Sequence, residues 1–328
     1  MDQAHFSPPY RQGPLCVRLP GPATSMGLLG RLLGLARVCA VTGASLGALG
    51  FALLVAFQRK VYYVPNLPGA PREVYPLQPG QVGLRCEEVW LRAEDGVRLH
   101  AWLCGPPAAT RGPTLLFLQE NAGNISHRLG NAKDLVKHLG CNLLLLSYRG
   151  YGRSDGTPSE AGLQADAQAA LGFLQSAPGV DPRRLFVFGR SLGGAVAAAL
   201  AAANPGALRG VVLENTFTSI PAMATVLFPP LAGLIGPGRP LAFLVRDTWD
   251  TLARVPRIAA PLLFICSGRD EMVPPAQMRR LHAAARGPRV SWLELPEASH
   301  MDAWMVGKGA YWEGLSDFVR ANGGYAQA

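Results

Sequence analysis

The chain has 328 residues, 49% hydrophobic and 16% charged, with a formal net charge of +9. This hydrophobicity excludes a disordered chain and suffices for one large α/β domain with an appendage. The positive charges are scattered, with no basic run interleaved with aromatics, which argues against nucleic acid as a partner.

Residues 1–37 form a leader rich in Pro and Gly. Residues 38–57, VCAVTGASLGALGFALLVAF, carry no charge over 20 positions, the length that crosses a bilayer core. Arg37 bounds one side; Gln58, Arg59 and Lys60 bound the other. The late start and the length favour an uncleaved signal-anchor over a cleaved signal peptide. The preceding MGLLGRLLGLAR (26–37) extends that helix or lies in the membrane interface. Arg18, Arg31 and Arg37 balance Arg59, Lys60 and Arg72, so charge alone does not orient the span.

Residues 58–82 are expected to be an extended, Pro-rich connector. Residues 87–104 alternate in polarity around Asp95-Gly96, the signature of a hairpin. The six cysteines (16, 39, 86, 104, 141 and 266) show neither a CxxC nor a metal-ligand spacing. Cys86 and Cys104 could face each other across the hairpin, but two free thiols are the plainer expectation.

From residue 83 to 322 the pattern becomes regular. Apolar strands at 114–118, 142–147, 185–188, 210–214, 261–266 and 290–295 alternate with helical patterns at 125–139, 160–176, 191–203, 275–286 and 309–321. Strands apolar throughout and separated by helices predict a mostly parallel sheet covered on both faces. Residues 217–256 are irregular and Pro-rich, and 323–328 form a short tail. No repeat, phosphate loop or dinucleotide fingerprint occurs, and no metal or organic cofactor is expected.

One joint in this pattern carries chemistry. FVFGRSLGGAVAAAL (186–200) is strand, Gly-x-Ser-x-Gly, helix. That order fits a nucleophile elbow, a turn so tight that glycines must flank the serine. It would lift the Ser191 hydroxyl above the sheet and aim the Leu192 N–H at a developing oxyanion. The expected partners follow in chain order. Asp270 comes just after the strand PLLFIC, and His300 comes after VSWLEL. Both would sit at the carboxyl ends of strands, where open α/β sheets gather ligands. His300 would take the serine proton while Asp270 holds the imidazole in the right tautomer. Glu271 and Asp302 are rival acids more suited to surface charge. His127, His138 and His282 lie on helical stretches and suit structural or solvated roles.

With NAGNISHRLGNA, SYRGYGRSDG, GRSLGGAVA, ENTFTSIPAMA and SGRDEMVPP, residues 60–322 resemble the single-pass membrane branch of the α/β-hydrolase superfamily. The resemblance implies an α/β-hydrolase fold, a type II membrane topology and a serine hydrolase using Ser191, Asp270 and His300. Relatives in that branch include acyl-protein thioesterases and lipid hydrolases, so an apolar acyl ester or thioester is the implied substrate and the lipid bilayer an implied partner. One departure stands out. Where the branch has His-Gly, this chain has Gln119-Glu120, just before Asn121, the expected second oxyanion donor. A carboxylate there opposes an anion if it faces the pocket and is harmless if it faces away. A catalytically weak, binding-only protein is the alternative it leaves open.

Other motifs have plainer roles. Tyr148, Arg149 and Tyr151 are expected to brace the loop beside the elbow, and Glu214 and Asn215 to be structural. Asn124-Ile125-Ser126 is a glycosylation sequon expected to stay unoccupied, because it lies beside the oxyanion loop and enters a helix. The apolar 217–245 segment, with Met223, Leu227, Phe228, Leu231, Ile235 and Phe243, either caps an acyl pocket or is an ordinary packed insertion.

Overall fold

The computed structural model describes residues 25–106 and 112–323. Cys16, most of the leader and residues 324–328 lie outside the described residues. The chain divides into two compact units, Met1–Ala56 and Phe57–Ala328.

The described part of the first unit is helix. α1 runs Ser25–Tyr62 without interruption, so the 26–37 and 38–57 stretches are one helix. Gly27–Tyr62 is long and apolar enough to cross a membrane. The helix also continues into the expected connector, because residues 58–62 contain neither Pro nor Gly and the first proline is Pro65. Arg59 and Lys60 in its last turn suit the negative end of the helix dipole.

The second unit is built on one eight-stranded sheet in the order β1-β2-β4-β3-β5-β6-β7-β8. Its strands are β1 (Arg85–Arg92), β2 (Arg98–Gly105), β3 (Thr114–Leu118), β4 (Asn142–Leu146), β5 (Leu185–Arg190), β6 (Gly210–Glu214), β7 (Leu262–Ser267) and β8 (Val290–Leu295). The hairpin pair β1–β2 and the pair β2–β4 are antiparallel; all other pairs are parallel. The central strands are buried on both faces, which is why they are continuously apolar.

Ten helices are described: α1, then α2 (Leu129–Leu139), α3 (Glu160–Ser176), α4 (Leu192–Ala203), α5 (Ile220–Leu227), α6 (Ala232–Ile235), α7 (Thr251–Arg254), α8 (Pro275–Ala284), α9 (Ala303–Val306) and α10 (Lys308–Ala321). Two cores form, one on each face. Leu163 of α3, Val196 of α4 and Leu281 of α8 pack with Leu116 and Val187. Leu135 of α2 and Leu315 of α10 pack with Phe117 and Phe188. Burying each such side chain contributes about 1.5–3 kcal/mol.

The strand order places the site. The chain passes from β3 to β4 on one side, then returns past β3 to β5 on the other. The carboxyl ends of β3 and β5 therefore border the switch point at which crossovers diverge and leave a crevice. The loop after β3 carries Asn121, and the turn after β5 carries Ser191.

Two expectations are corrected here. Cys86 and Cys104 are not free thiols; they form a disulfide. They are direct partners in the antiparallel β1–β2 register, so the hairpin itself brings the sulfurs together. The connector is not extended from its start either: residues 58–62 belong to α1. Val64 forms a parallel bridge with Ala122: its N–H donates to the Asn121 carbonyl (2.9 Å) and its carbonyl accepts from the Gly123 N–H (3.0 Å).

The disulfide closes a loop between positions 18 apart in sequence. The Cys86→Ser/Cys104→Ser double variant of the full chain in detergent should lose about 3 kcal/mol of unfolding free energy. Denaturant titration by near-ultraviolet circular dichroism measures this, and an unchanged midpoint contradicts it.

Candidate active site

Ser191 occupies a conformation that only a constrained turn tolerates, with φ 54° and ψ −120°. Its neighbours explain why glycines surround it. A β-carbon on Gly189 would lie 2.1 Å from the Gly193 carbonyl oxygen, and one on Gly193 would lie 1.9 Å from the Leu118 carbonyl oxygen. A third, on Gly194, would lie 2.5 Å from Thr216 Cβ. Backbone contacts at these distances leave no room for any side chain at the first two positions. The turn is fixed from the neighbouring strand: the Ser191 N–H donates to the Glu214 carbonyl (2.9 Å), and Thr216 Oγ1 donates to the Ser191 carbonyl (2.7 Å).

Ser191 is the N-cap of α4, yet its side chain does not cap the helix. The hydroxyl is thus left available to a ligand. Leu192 starts the helix. Its N–H and that of Asn121 have no acceptor among the turn, loop and cap hydrogen bonds of the described residues. The Asn121 peptide is held by its other end, since its carbonyl accepts from Val64 N–H (2.9 Å) and from Tyr151 Oη (2.8 Å). Tyr148 Oη likewise donates to the Gln119 carbonyl (3.0 Å). Arg149 instead ties its loop to Asp166 of α3 and to Asp95 of the hairpin turn.

His300 and Asp270 meet. The His300 Nδ1 lies 2.8 Å from Asp270 Oδ2, and both side chains are buried. Asp270 Oδ1 accepts from the N–H groups of Met272 (2.9 Å) and Val273 (2.7 Å), which orients the carboxylate. The rival acids are engaged elsewhere: Glu271 accepts from the His300 backbone N–H (3.1 Å), and Asp302 accepts from Ser299 N–H (2.6 Å). Asn215, at φ 48°, donates to the His300 carbonyl (3.0 Å) and exchanges two hydrogen bonds with Ser267. It thereby ties the ends of β6 and β7 to the histidine loop. His300 and Ser191 make no direct hydrogen bond with each other.

Glu120 does not face the two free N–H groups. Its carboxylate is buried 2.9 Å from Arg190 Nη1 and 2.8 Å from Arg128 Nε. Arg190, the variable residue of Gly-x-Ser-x-Gly, also pairs with Glu214 and donates to Asn131 Oδ1 (3.0 Å), while Tyr311 donates to Glu214 (2.7 Å). This cluster lies on the α2/α10 face of the sheet, opposite α4. Two carboxylates and two guanidiniums sum to zero charge. Burial alone would raise the Glu120 pKa; the guanidiniums of Arg128 and Arg190 outweigh it and hold the carboxyl below its ordinary range.

Sequence reasoning missed this network. Its signal was present: Arg190 and Glu214 end two otherwise apolar strands, and Glu120 lies two residues past the end of a third, all neighbours in the sheet. The Gln119 side-chain amide, fully buried, has no protein partner among the described residues. The remaining histidines are structural in placement: His127 bonds Asn124, His138 stacks on Trp312, and His282 packs against Phe264 and Trp292. The sequon asparagine is buried, its amide donating to the carbonyls of Arg72 and Val74 (2.8 Å each).

A parallel-dominated eight-stranded sheet with a strained serine turn at its switch point defines a hydrolase fold of the α/β type. The family profile described as serine aminopeptidase, S33 matches residues 119–242. The alpha/beta hydrolase domain-containing protein WAV2 of Arabidopsis thaliana is 49% identical over 82% of this chain and 90% of its own length. Protein bem46 of Schizosaccharomyces pombe is 36% identical over 84% of this chain and 89% of its own. The uncharacterized membrane protein YNL320W of Saccharomyces cerevisiae is 31% identical over 85% and 94%. Among solved structures, the Pyrococcus furiosus esterase Pf2001 superposes with a TM-score of 0.63 at 20% identity, over 76% of this chain and 98% of that one, a likeness of fold. The chain belongs to the α/β-hydrolase family and is a hydrolase.

The ion network yields a stability prediction. Arg190→Met leaves the buried Glu214 carboxylate without its guanidinium and Glu120 with Arg128 alone, and should cost about 3–5 kcal/mol, whereas Glu120→Gln, which keeps the Arg190–Glu214 pair, should cost clearly less. Because the folded Glu120 pKa lies below its unfolded value of 4.5, its stabilisation is present above that value and is lost as pH falls below it. Denaturation midpoints of wild type and Glu120→Gln should therefore converge on acidification. Equal losses for the two variants, or a difference independent of pH, contradict the assignment.

Proposed function

We propose that the chain is a membrane-anchored serine hydrolase that cleaves an ester or thioester with an apolar acyl part. The observation that carries this is the 2.8 Å contact of His300 Nδ1 with Asp270, at the same sheet edge as the strained Ser191 turn. Ser191 Oγ attacks the acyl carbon and its proton passes to His300 Nε2. The oxyanion is met by the N–H groups of Leu192 and Asn121. The C–O or C–S bond then breaks, and the leaving group takes the proton from His300. Water next gives a proton to His300 and attacks the acyl-enzyme; Ser191 regains that proton as the acid departs. Asp270 holds the neutral imidazole in the tautomer that accepts at Nε2 and stabilises the imidazolium once the proton has arrived.

Glu120 is engaged by Arg128 and Arg190, which weighs against the binding-only alternative that Gln119-Glu120 had raised. The serine aminopeptidase description of the matching profile favours a second reading, cleavage of an aminoacyl amide with the same residues. A fluorophosphonate probe on the full-length enzyme tests the nucleophile. Wild type should label, Ser191→Ala should not, and His300→Ala should label slower by a factor on the order of 10⁴ or more. Labelling that survives in Ser191→Ala sinks the assignment. A panel of fatty-acyl esters, fatty-acyl thioesters and aminoacyl amides separates the two substrate readings.

The proposed topology is type II, with α1 as signal-anchor and the hydrolase unit on the extracytoplasmic side. The apolar Gly27–Tyr62 helix supports anchoring, as does the description of YNL320W as a membrane protein. The Cys86–Cys104 disulfide supports the orientation, because such bonds persist in oxidising compartments. A sequon appended after residue 328 should be glycosylated in microsomes, while Asn124 stays unmodified because its amide is engaged. An unmodified appended sequon contradicts this topology.

A further inference from the structure

The segment between Asn215 and Asp247 contains no acidic residue; its charges are Arg239 and Arg246, both exposed. It also carries the two most exposed large apolar side chains of the hydrolase unit among the described residues, Phe243 at 76% and Leu227 at 56%, with Leu234 at 44% and Val226 at 40%. Met223 and Ile235 are buried and Phe228 and Leu231 half-buried, so the segment is anchored by some apolar residues and presents others outward. A packed insertion would have hidden Phe243.

The same segment is bolted to the first residues past the apolar span. Gln58, one residue beyond the uncharged stretch, is buried; its Nε2 donates to the Leu244 carbonyl (3.0 Å) and its Oε1 accepts from the Arg246 N–H (2.9 Å). Arg59 makes a bidentate pair with Asp247 at 2.8 and 2.9 Å. Tyr63 Oη donates to Asp247 (3.2 Å) and accepts from Trp249 Nε1 (2.9 Å), and the Trp249 N–H donates to Glu160 of α3 (2.8 Å). If the span is residues 38–57, as in the anchoring proposed above, Gln58 is the first residue past it, and the strap held by Gln58 would lie near the bilayer surface.

From these observations we propose that the 226–246 segment docks on the phospholipid bilayer itself, with Phe243, Leu234 and Leu227 seated among the acyl chains and Arg239 and Arg246 on anionic headgroups. Apolar side chains flanked by arginines, with the adjoining acid Asp247 already paired with Arg59, match the charge and depth of a membrane interface. The docking sets the hydrolase against the lipid phase, so its substrate class is an acyl ester or thioester resident in the membrane. This rests on the anchoring proposed above.

Photo-crosslinking of the full-length protein tests it. The protein carries p-benzoylphenylalanine at residue 243 and is reconstituted in vesicles of equal parts phosphatidylcholine and phosphatidylserine. Position 49, inside the span, and position 317, on exposed α10, serve as references. Phospholipid adducts are expected at 243 and 49 and not at 317. An adduct at 49 but none at 243, or a crosslink from 243 to a second copy or another protein, overturns the docking and leaves the anchoring intact. Absence of an adduct at 49 overturns the anchoring and the docking with it. In a second arm, Phe243→Asp/Leu234→Asp should lower turnover of a vesicle-embedded long-chain ester about tenfold while sparing a short water-soluble ester. Equal rates on the embedded ester count against the docking. The two side chains are exposed, so the variant keeps the packed core.

Discussion

At the turn after β5 the backbone passes so close to α4 and β3 that neither Gly189 nor Gly193 has space for a β-carbon. The rest of the site follows from that steric constraint. It forces Ser191 into a positive-φ conformation, points the start of α4 at whatever lies above the sheet, and brings the β3 loop within reach of the serine. The alanine-rich helix is part of the same constraint. Only small side chains let α4 press against β5 and β6 closely enough for the turn to close.

The strain is supported from below and from beside. Below, Arg190 lies between Glu120 and Glu214, joining the ends of β3, β5 and β6 with a neutral set of charges. Each charge there would be costly alone, and together they compensate. Beside it, Asn215 ties β6 to the histidine loop, while Tyr151 and Val64 hold the Asn121 peptide. The arrangement resembles preorganisation in its physics: groups that face a developing charge are oriented before any substrate arrives.

The segment just after the membrane-length helix has two attachments. Val64 pairs with the β3 loop, and Gln58 and Arg59 hold the 244–247 strap. The residues just past the membrane-length helix are thus also those that brace the β3 loop and fasten the apolar segment.

Much of this was legible in residue order. Continuous apolar runs are legible because strands buried on two faces admit nothing else, and glycines around Ser191 are legible because a tight turn excludes side chains. The hairpin was also legible, from its alternation around Asp95-Gly96. What stayed hidden depends on pairing between distant segments. The Cys86–Cys104 bond needs the strand register. The direction of the Glu120 carboxylate needs Arg128 and Arg190 on neighbouring elements. The engagement of the connector needs the β3 loop beside it. Local patterns of hydrophobicity and chain stiffness determined the elements and the elbow; only tertiary structure, by deciding which strand ends lie side by side, decided where the charges, the sulfurs and the exposed apolar surface came to rest.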